Sequence, residues 1–543
     1  MKKTMLSLLL AALLLLTGCG QLEALAARMA QERDAQLNAL ADLGRNQDSF
    51  SQMIYTRPDA DAFQTLVQES CRLAQSSGDV DRILEQTVEV YDAYDRFYTM
   101  LALADIRYCL DLSDSYYQEE YAYCTGQSAQ VDQGLETYYR ALADSPAAAE
   151  LEPYFGEGFF DGYTGESLWD EELVDLMNRE SEVLARYYEA MDGLSGADYE
   201  QMEQTPGPML VELIGLRQSM AAKAGYDSCE AFLWDWYYSR DYTPSDLEGY
   251  LQEIQTELVP LYGEIYESGL YDQVYRNWYR ESQCLDYLSS AARAMGGEIL
   301  QAYEEMTARD LYDITPSRNK YAGSFEVYLT DYQAPFVFLN PYEDLSDLLS
   351  FAHEFGHFTN DYLVGGSYVT TDVAELLSQG MEYMSLCYAE GPDSGTLELV
   401  RQLKLADALS VYVEQAAFYC FEREAYQLTG EALTVENLNR IYSRVARDFG
   451  FDAVGWDEAE WTGITHYFTN PFYIVSYIVS GDGALQLYQL EQEQTGAGLE
   501  LYRELVKTEE DVPLLQLLSS KGLESPFRRI SRVAETLRQD LNL

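Results

Sequence analysis

Proline is scarce: 14 of 543 residues, about half the ~5% usual in globular chains. A chain so poor in the residue that breaks helices, with apolar side chains recurring at spacings of three and four, is constrained to fold mainly as helix. After Thr243-Pro244-Ser245-Asp246, the residues Leu247, Tyr250, Leu251, Ile254 and Leu258 form one apolar stripe. Thr243 suits the N-cap, Pro244 the first helical position and Asp246 the acidic first turn. The same period runs through 85–110, 178–195, 394–425 and 434–448. One region departs from it. Ser324 to Leu329 and Pro335 to Leu339 are short, β-branched and aromatic, with Thr330 to Ala334 between them. They predict two strands joined by a turn, hence a small sheet in a mainly α protein.

The chain is long enough for more than one packing unit. A soft boundary falls between Ser195-Gly196 and Pro206-Gly207-Pro208. Residues 19–200 are expected to form an N-terminal helical region in which no chemistry is legible, and residues 201–543 a catalytic region. Residues 1–18 form a signal: Met1-Lys2-Lys3, then an apolar run from Met5 to Leu16. That run is too short for a bilayer span of roughly 20 residues. It ends Leu16-Thr17-Gly18-Cys19, which is similar to a bacterial lipobox. Lipidated Cys19 is therefore the expected membrane anchor, on the extracytoplasmic side of the cell membrane.

Net charge is −57, from 35 Lys+Arg against 92 Asp+Glu. That excludes nucleic acid as a partner, since phosphate needs basic surface, and disfavours direct adsorption to anionic lipid. Apolar residues make up 47% of the chain, so the acid sits on a folded body. Beyond Cys19 seven cysteines remain, with no metal-type spacing and too sparse for a disulfide framework. Several are expected to be buried as small hydrophobes.

The chain has three histidines. Two lie in His353-Glu354-Phe355-Gly356-His357, inside a predicted helix from Asp344 to Asn360. Residues i and i+4 share a helix face about 5–6 Å apart, so both imidazoles reach one zinc ion at about 2.0–2.1 Å. Glu354, rotated by about 100° around the same helix, is placed as general base toward a water rather than as a ligand. With so few histidines, chance would place two around a Glu at this spacing less than about once in a hundred. A catalytic zinc needs a third protein ligand and an open position. Past Gly365-Gly366 the candidates are Asp372, Glu375 and Glu382. Glu375, in the first turns of a helix starting near Thr371, is the choice. Glu382 and Asp372 are then candidates for orienting the histidines.

The third histidine, His466, precedes Tyr467, Phe468, Phe472, Tyr473 and Tyr477. Peptide hydrolysis passes through an oxyanion, and donors aimed at it lower the barrier by several kcal/mol. His466, Tyr473 and Tyr477 are the candidates; the two tyrosines are i,i+4 and share a helix face.

These residues resemble the thimet oligopeptidase and oligoendopeptidase F family of HExxH zinc metallopeptidases over roughly 205–535. Five motifs occur in order: Asp241-Tyr242-Thr243-Pro244, Lys320 to Phe325, Pro335 to Asn340 with the HExxH, Ala374-Glu375-Leu376-Leu377-Ser378 with Glu382, and His466 with Pro471-Phe472-Tyr473 and Tyr477. The resemblance implies a bilobed helical fold with a deep substrate channel, one zinc per chain and short unfolded peptides as substrates. It implies that the loop at Gly323 and Ser324 holds peptide backbone. The chain is expected to be a monomer. Members often carry a further His three residues after the HExxH, where this chain has Asn360. The part before about 195 matches poorly. Three readings follow: an endopeptidase, a carboxypeptidase or dipeptidase on the same fold, and a peptide-binding lipoprotein without catalysis.

Overall fold

The computed structural model describes residues 48–543 except 157, 165–169, 195–198, 276–278, 367–368, 392–393 and 509–511. The signal, the lipobox and Cys19 lie outside the described residues, as does part of the boundary near 195.

The chain is mainly helical. The elements that matter for the site are α1 (Ala60–Ser76), α2 (Val80–Leu110), α3 (Ser115–Ala143), α4 (Glu171–Gly193), α5 (Pro206–Lys223), α6 (Pro244–Glu257), α7 (Ser346–Val364), α8 (Thr371–Tyr388), α9 (Ser394–Ala425), α10 (Val435–Asp448) and α11 (Ile474–Glu493). Local rules set several of the ends. Asp246 accepts hydrogen bonds from the Thr243 amide and hydroxyl, both at 2.7 Å, closing the expected cap of α6. The α6 stripe, Leu247, Tyr250, Leu251 and Ile254, is buried, as is Leu258 after it. The helix expected from Asp344 begins two residues later, at Ser346, and runs on to Val364. Asp344 accepts the Ser346 amide at 2.8 Å, while Asp347 reaches back to the amides of Tyr342 and Asp344. Gly365 and Gly366, at φ +71° and +70°, end α7 in the left-handed conformation that glycine tolerates.

The sheet has three strands, β1 (Tyr312–Asp313), β2 (Ser324–Leu329) and β3 (Ala334–Leu339), in the order β1-β3-β2. β2 and β3 are the antiparallel pair expected, registered Ser324 to Leu339 and Leu329 to Ala334. The two-residue β1, parallel to β3, is too short to give a periodic signal. β3 is buried along its whole length, while β2 has no strand on its outer side among the described residues, and so keeps a free edge.

Two apolar cores result. The smaller lies among α1, α2 and α3 and includes Phe63, Val90, Tyr138 and Leu142. The larger runs from Met53 to Leu537 and joins the end of α2 to the helices around α7. Among the described residues no helix is long and apolar enough to cross a membrane. The seven described cysteines are free; Cys109, Cys124, Cys229 and Cys284 are buried.

Candidate metal centre

His353 and His357 sit one turn apart on α7, their ring centroids 5.1 Å apart. Gly356 between them is the reason α8 comes so close. A Cβ there would lie 2.6 Å from Ser378 Cα and 3.0 Å from the Leu377 carbonyl. The pairings 353 with 382, 356 with 378 and 357 with 375 show that α8 returns antiparallel to α7. Glu375 thereby arrives at both histidines, 3.4 Å from His353 Nε2 and 3.9 Å from His357 Nε2. Glu382, two turns on, accepts from His353 Nδ1 at 2.8 Å. The His353 ring is thus bracketed by two glutamates of one helix, and Nε2 is the nitrogen left facing His357 and Glu375.

Glu382 is itself held. Lys404 on α9 places Nζ 2.7 Å from its second oxygen, with both side chains buried. Lys404 is missing from the sequence reading above. Its signal was present: it stands in the stripe Val400, Lys404, Ala408, Tyr412, whose other members are all buried.

The donor set fits zinc. One atom each from His353, His357 and Glu375 lie within 4.8 Å of one another, and ligands about 2.0–2.2 Å from a tetrahedral ion are themselves about 3.3–3.6 Å apart. At His353 burial opposes the positive charge, but Glu375 and Glu382 outweigh it and raise the pKa, favouring the charge at this site that a metal ion would supply; the other two donors are in ligating form. Burial opposes the charge on Glu375, but the His353 hydrogen bond, the charges of both histidines and Tyr473 outweigh it and hold the carboxyl at about 2. Burial lowers His357 to about 4, so it is neutral and able to ligate at neutral pH. Asn360 points away from this group: its amide donates to the carbonyls of Val506 and Thr508. It anchors the turn after Leu505.

Glu354 faces the cavity beside the histidines. Burial pushes its carboxyl up to about 7, against the pull of His353 and a hydrogen bond from Ser324. His466 opens a one-turn helix, Thr465–Thr469. Burial lowers its pKa below the ordinary value, and its Nε2 is 3.1 Å from the Tyr477 hydroxyl. Tyr473 and Tyr477 do share a face, with ring centroids 5.3 Å apart, but their hydroxyls differ in partner. Tyr473 donates to Glu375; Tyr477 pairs with His466.

Asp372 corrects an expectation. It touches neither histidine. Its carboxylate accepts from Tyr242 at 2.8 Å and Ser476 at 2.5 Å and pairs with Arg240 at 3.4 Å. Arg240 also donates to the Phe472 carbonyl. Asp372 therefore secures the turn that carries Tyr473.

His353, Glu354, His357, Glu375, Glu382, Lys404, His466, Tyr473 and Tyr477 line one cavity of about 1010 Å³. Gly323, Ser324, Phe325 and Glu326 bring the free edge of β2 to its wall. Asp105, Tyr108, Cys109, Leu112, Tyr121 and Tyr188 line it too. The N-terminal helices, in which the sequence alone showed no chemistry, thus contribute polar groups to the site. Tyrosines and an aspartate at helical spacing carry no motif, so nothing short of the fold could place them there.

Residues 50–166 match the Peptidase M3 N-terminal domain, and residues 197–508 match Peptidase family M3. No curated protein sequence matches the chain. Among solved structures, PZ peptidase A with a bound inhibitor superposes with a TM-score of 0.79 at 18% identity, covering 91% of this chain and 99% of that one. A chain assigned as an oligoendopeptidase F has a TM-score of 0.78 at 20% identity, covering 91% and 99%. Another so assigned, from Bacillus anthracis str. Ames, has 0.75 at 18%, covering 91% and 98%. At those identities the structures establish a shared fold. The N-terminal region, where the motifs ran out, is matched as well. Since the M3 match takes in more than half of the chain and contains the whole His353, His357 and Glu375 group, this protein belongs to peptidase family M3 and is a metallopeptidase.

Proposed function

We propose that this protein is a zinc-dependent endopeptidase acting on short, unfolded oligopeptides, held outside the cytoplasm by lipid on Cys19. The observation that carries the peptidase reading is the meeting in one cavity of the His353, His357 and Glu375 donors, Glu354, the His466–Tyr477 pair and the edge of β2; the anchor rests on the Leu16-Thr17-Gly18-Cys19 sequence alone.

His353, His357 and Glu375 would hold the metal, with Glu382 and Lys404 fixing the ring of His353. Zinc, when bound, supplies Lewis-acid polarisation of the scissile carbonyl and of water. An extended peptide pairs its backbone with the edge from Gly323 to Glu326, as a strand adds to a sheet. A folded protein offers no such free strand, which favours short substrates. Glu354 takes a proton from water as it adds to the scissile carbonyl, then passes that proton to the departing amine. His466 and Tyr477 act as a pair: with His466 Nε2 donating to the Tyr477 oxygen, the Tyr477 hydroxyl proton is left for the oxygen on which negative charge develops. Tyr473 acts through Glu375, whose carboxylate it holds.

Cleavage of a quenched peptide library by the mature protein and by Glu354→Gln tests this, with zinc content measured in both. Wild type should cut at least about 100-fold faster, the lower end of general-base contributions. Equal inertness with zinc bound would reduce the protein to a peptide binder. Peptides with blocked ends separate endopeptidase from carboxypeptidase action: loss of all cleavage on C-terminal blocking would favour the latter. Release of Cys19→Ala protein from the membrane fraction tests the anchor.

A further inference from the structure

Asp105 is a cavity-wall carboxylate without a counter-charge. It lies on the last turns of α2, half-buried, and accepts a hydrogen bond from the Cys109 thiol, a weak donor, at 3.5 Å. Among the described residues no cation lies within ion-pair range of it. Nearby cations are committed elsewhere. Arg107 donates to the Met53 carbonyl and Tyr117 hydroxyl. Lys320 is held by Asp313 and by the carbonyls of Thr315 and Leu339. Lys404, the only Lys or Arg among the described residues of the cavity wall, is bound to Glu382. An ionised carboxylate can accept about four hydrogen bonds, and partial burial without a partner is costly.

What surrounds Asp105 is aromatic. Tyr108 stacks on Tyr121 with centroids 6.0 Å apart, and Tyr121 meets Tyr188 edge-on at 6.3 Å. Tyr121, Tyr188 and Tyr321 all feel the Asp105 charge. A carboxylate among aromatic rings is the chemistry that takes an ammonium or guanidinium group, through a charge-assisted hydrogen bond and ring faces. The position is right for a substrate subsite. The Tyr321 amide donates to the Cys109 carbonyl at 2.9 Å, tying this turn of α2 to the loop that leads into β2. Asp105, Tyr321 and Tyr477 line the same cavity.

We propose that Asp105, with Tyr121, Tyr188 and Tyr321, forms a subsite for a cationic group of the peptide substrate, an Arg or Lys side chain or a free α-amine. The subsite rests on the peptidase reading of the cavity. It would make the enzyme selective for basic peptides, in keeping with a wall whose other charged groups are mostly acids.

The test is a matched peptide series carrying Arg, Lys, Gln or Glu at each position, with the N-terminus free or acetylated. It is cut by wild type, Asp105→Asn and Asp105→Lys. Wild type should prefer Arg or Lys over Gln at one position by roughly tenfold or more in kcat/KM, as a charge-assisted contact commands. In Asp105→Asn the Arg-to-Gln ratio should fall to within about twofold, and in Asp105→Lys it should invert toward Glu. Should wild type instead prefer free over acetylated N-termini by a similar factor, and Asp105→Asn lose that preference, the α-amine is the occupant. Neither preference in wild type, or ratios unchanged in Asp105→Asn, overturns the subsite. Binding of Arg and Gln peptides to Glu354→Gln protein by calorimetry separates the two readings. A basic preference in binding without any cleavage by wild type would sink the peptidase reading and leave the subsite standing; equal binding would sink the subsite.

Discussion

Gly356 and Ser378 face each other so closely that a Cβ on the glycine would stand 2.6 Å from the Ser378 Cα. That approach brings Glu375 within 3.4 Å of His353 Nε2 and 3.9 Å of His357 Nε2. The third position after His353 is therefore a packing requirement of the metal site, although a sequence pattern leaves it open.

Gly356→Ala tests this. In an exposed helix the change would stabilise by about 0.5–1 kcal/mol. Here overpacking against backbone costs about 1–3 kcal/mol, so the net effect should be destabilising and α7 should move away from α8. Thermal unfolding should show a lowered Tm, and zinc titration a weakened site. A variant as stable as wild type with full zinc affinity would mean that the helices separate without consequence.

Lys404 should matter more than its distance from the reacting bond suggests. Lys404→Met leaves Glu382 buried without its counter-charge, a change of the kind that costs about 3–5 kcal/mol. Because Glu382 orients His353, zinc affinity should also fall about 10–100-fold. Competition with a zinc-sensitive dye measures the second effect directly. Unaltered affinity would show that His353 needs no such support.

Chelation should abolish cleavage, and added zinc should restore it. The tyrosine pair should then divide by role. Tyr477→Phe should lower kcat by about 10²-fold, the lower range for losing an oxyanion donor, with zinc content unchanged. Tyr473→Phe, which removes the hydrogen bond to Glu375, should show weakened zinc binding. Identical effects on both readouts would erase the distinction.

Glu422 on α9 makes stability depend on pH. One oxygen accepts the Phe472 amide at 2.9 Å, and the other has no partner. Burial pushes its carboxyl up to about 8, against the ordinary 4.5. A folded-state pKa raised in this way means that the native protein holds a proton the unfolded chain releases. The stabilising contribution is complete below about pH 4.5 and is lost as pH rises to about 8. Glu422→Gln keeps an acceptor and cannot ionise. Its Tm relative to wild type should therefore climb between pH 5 and pH 8.5 and flatten above that. A difference independent of pH would show that Glu422 does not titrate in this window.

Much was legible in the residues themselves. Helical period and caps located α6, α9 and α10, because those signals depend on neighbours within one or two turns. The strands β2 and β3 were equally local. The HExxH placed two candidate ligands and a candidate base on one helix by geometry internal to that helix. Glu375 and Glu382, seven residues apart, were recognisable as sharing a face. The sequence alone could not divide the tasks of nearby acids. Asp372 and Glu382 look alike in the sequence, yet one holds Arg240, Tyr242 and Ser476 while the other holds His353.

The sequence by itself determined which helix carries the metal donors and which chemistry they suit, since i,i+4 spacing and side-chain type are properties of a single helix. Only the tertiary structure decided that Lys404 stands behind Glu382, that Tyr473 and Tyr477 serve different partners, and that Asp105, some 250 residues before the HExxH, shares its cavity. Those relationships join separate helices, and packing across the core, unlike helical period, leaves no regular trace along the chain.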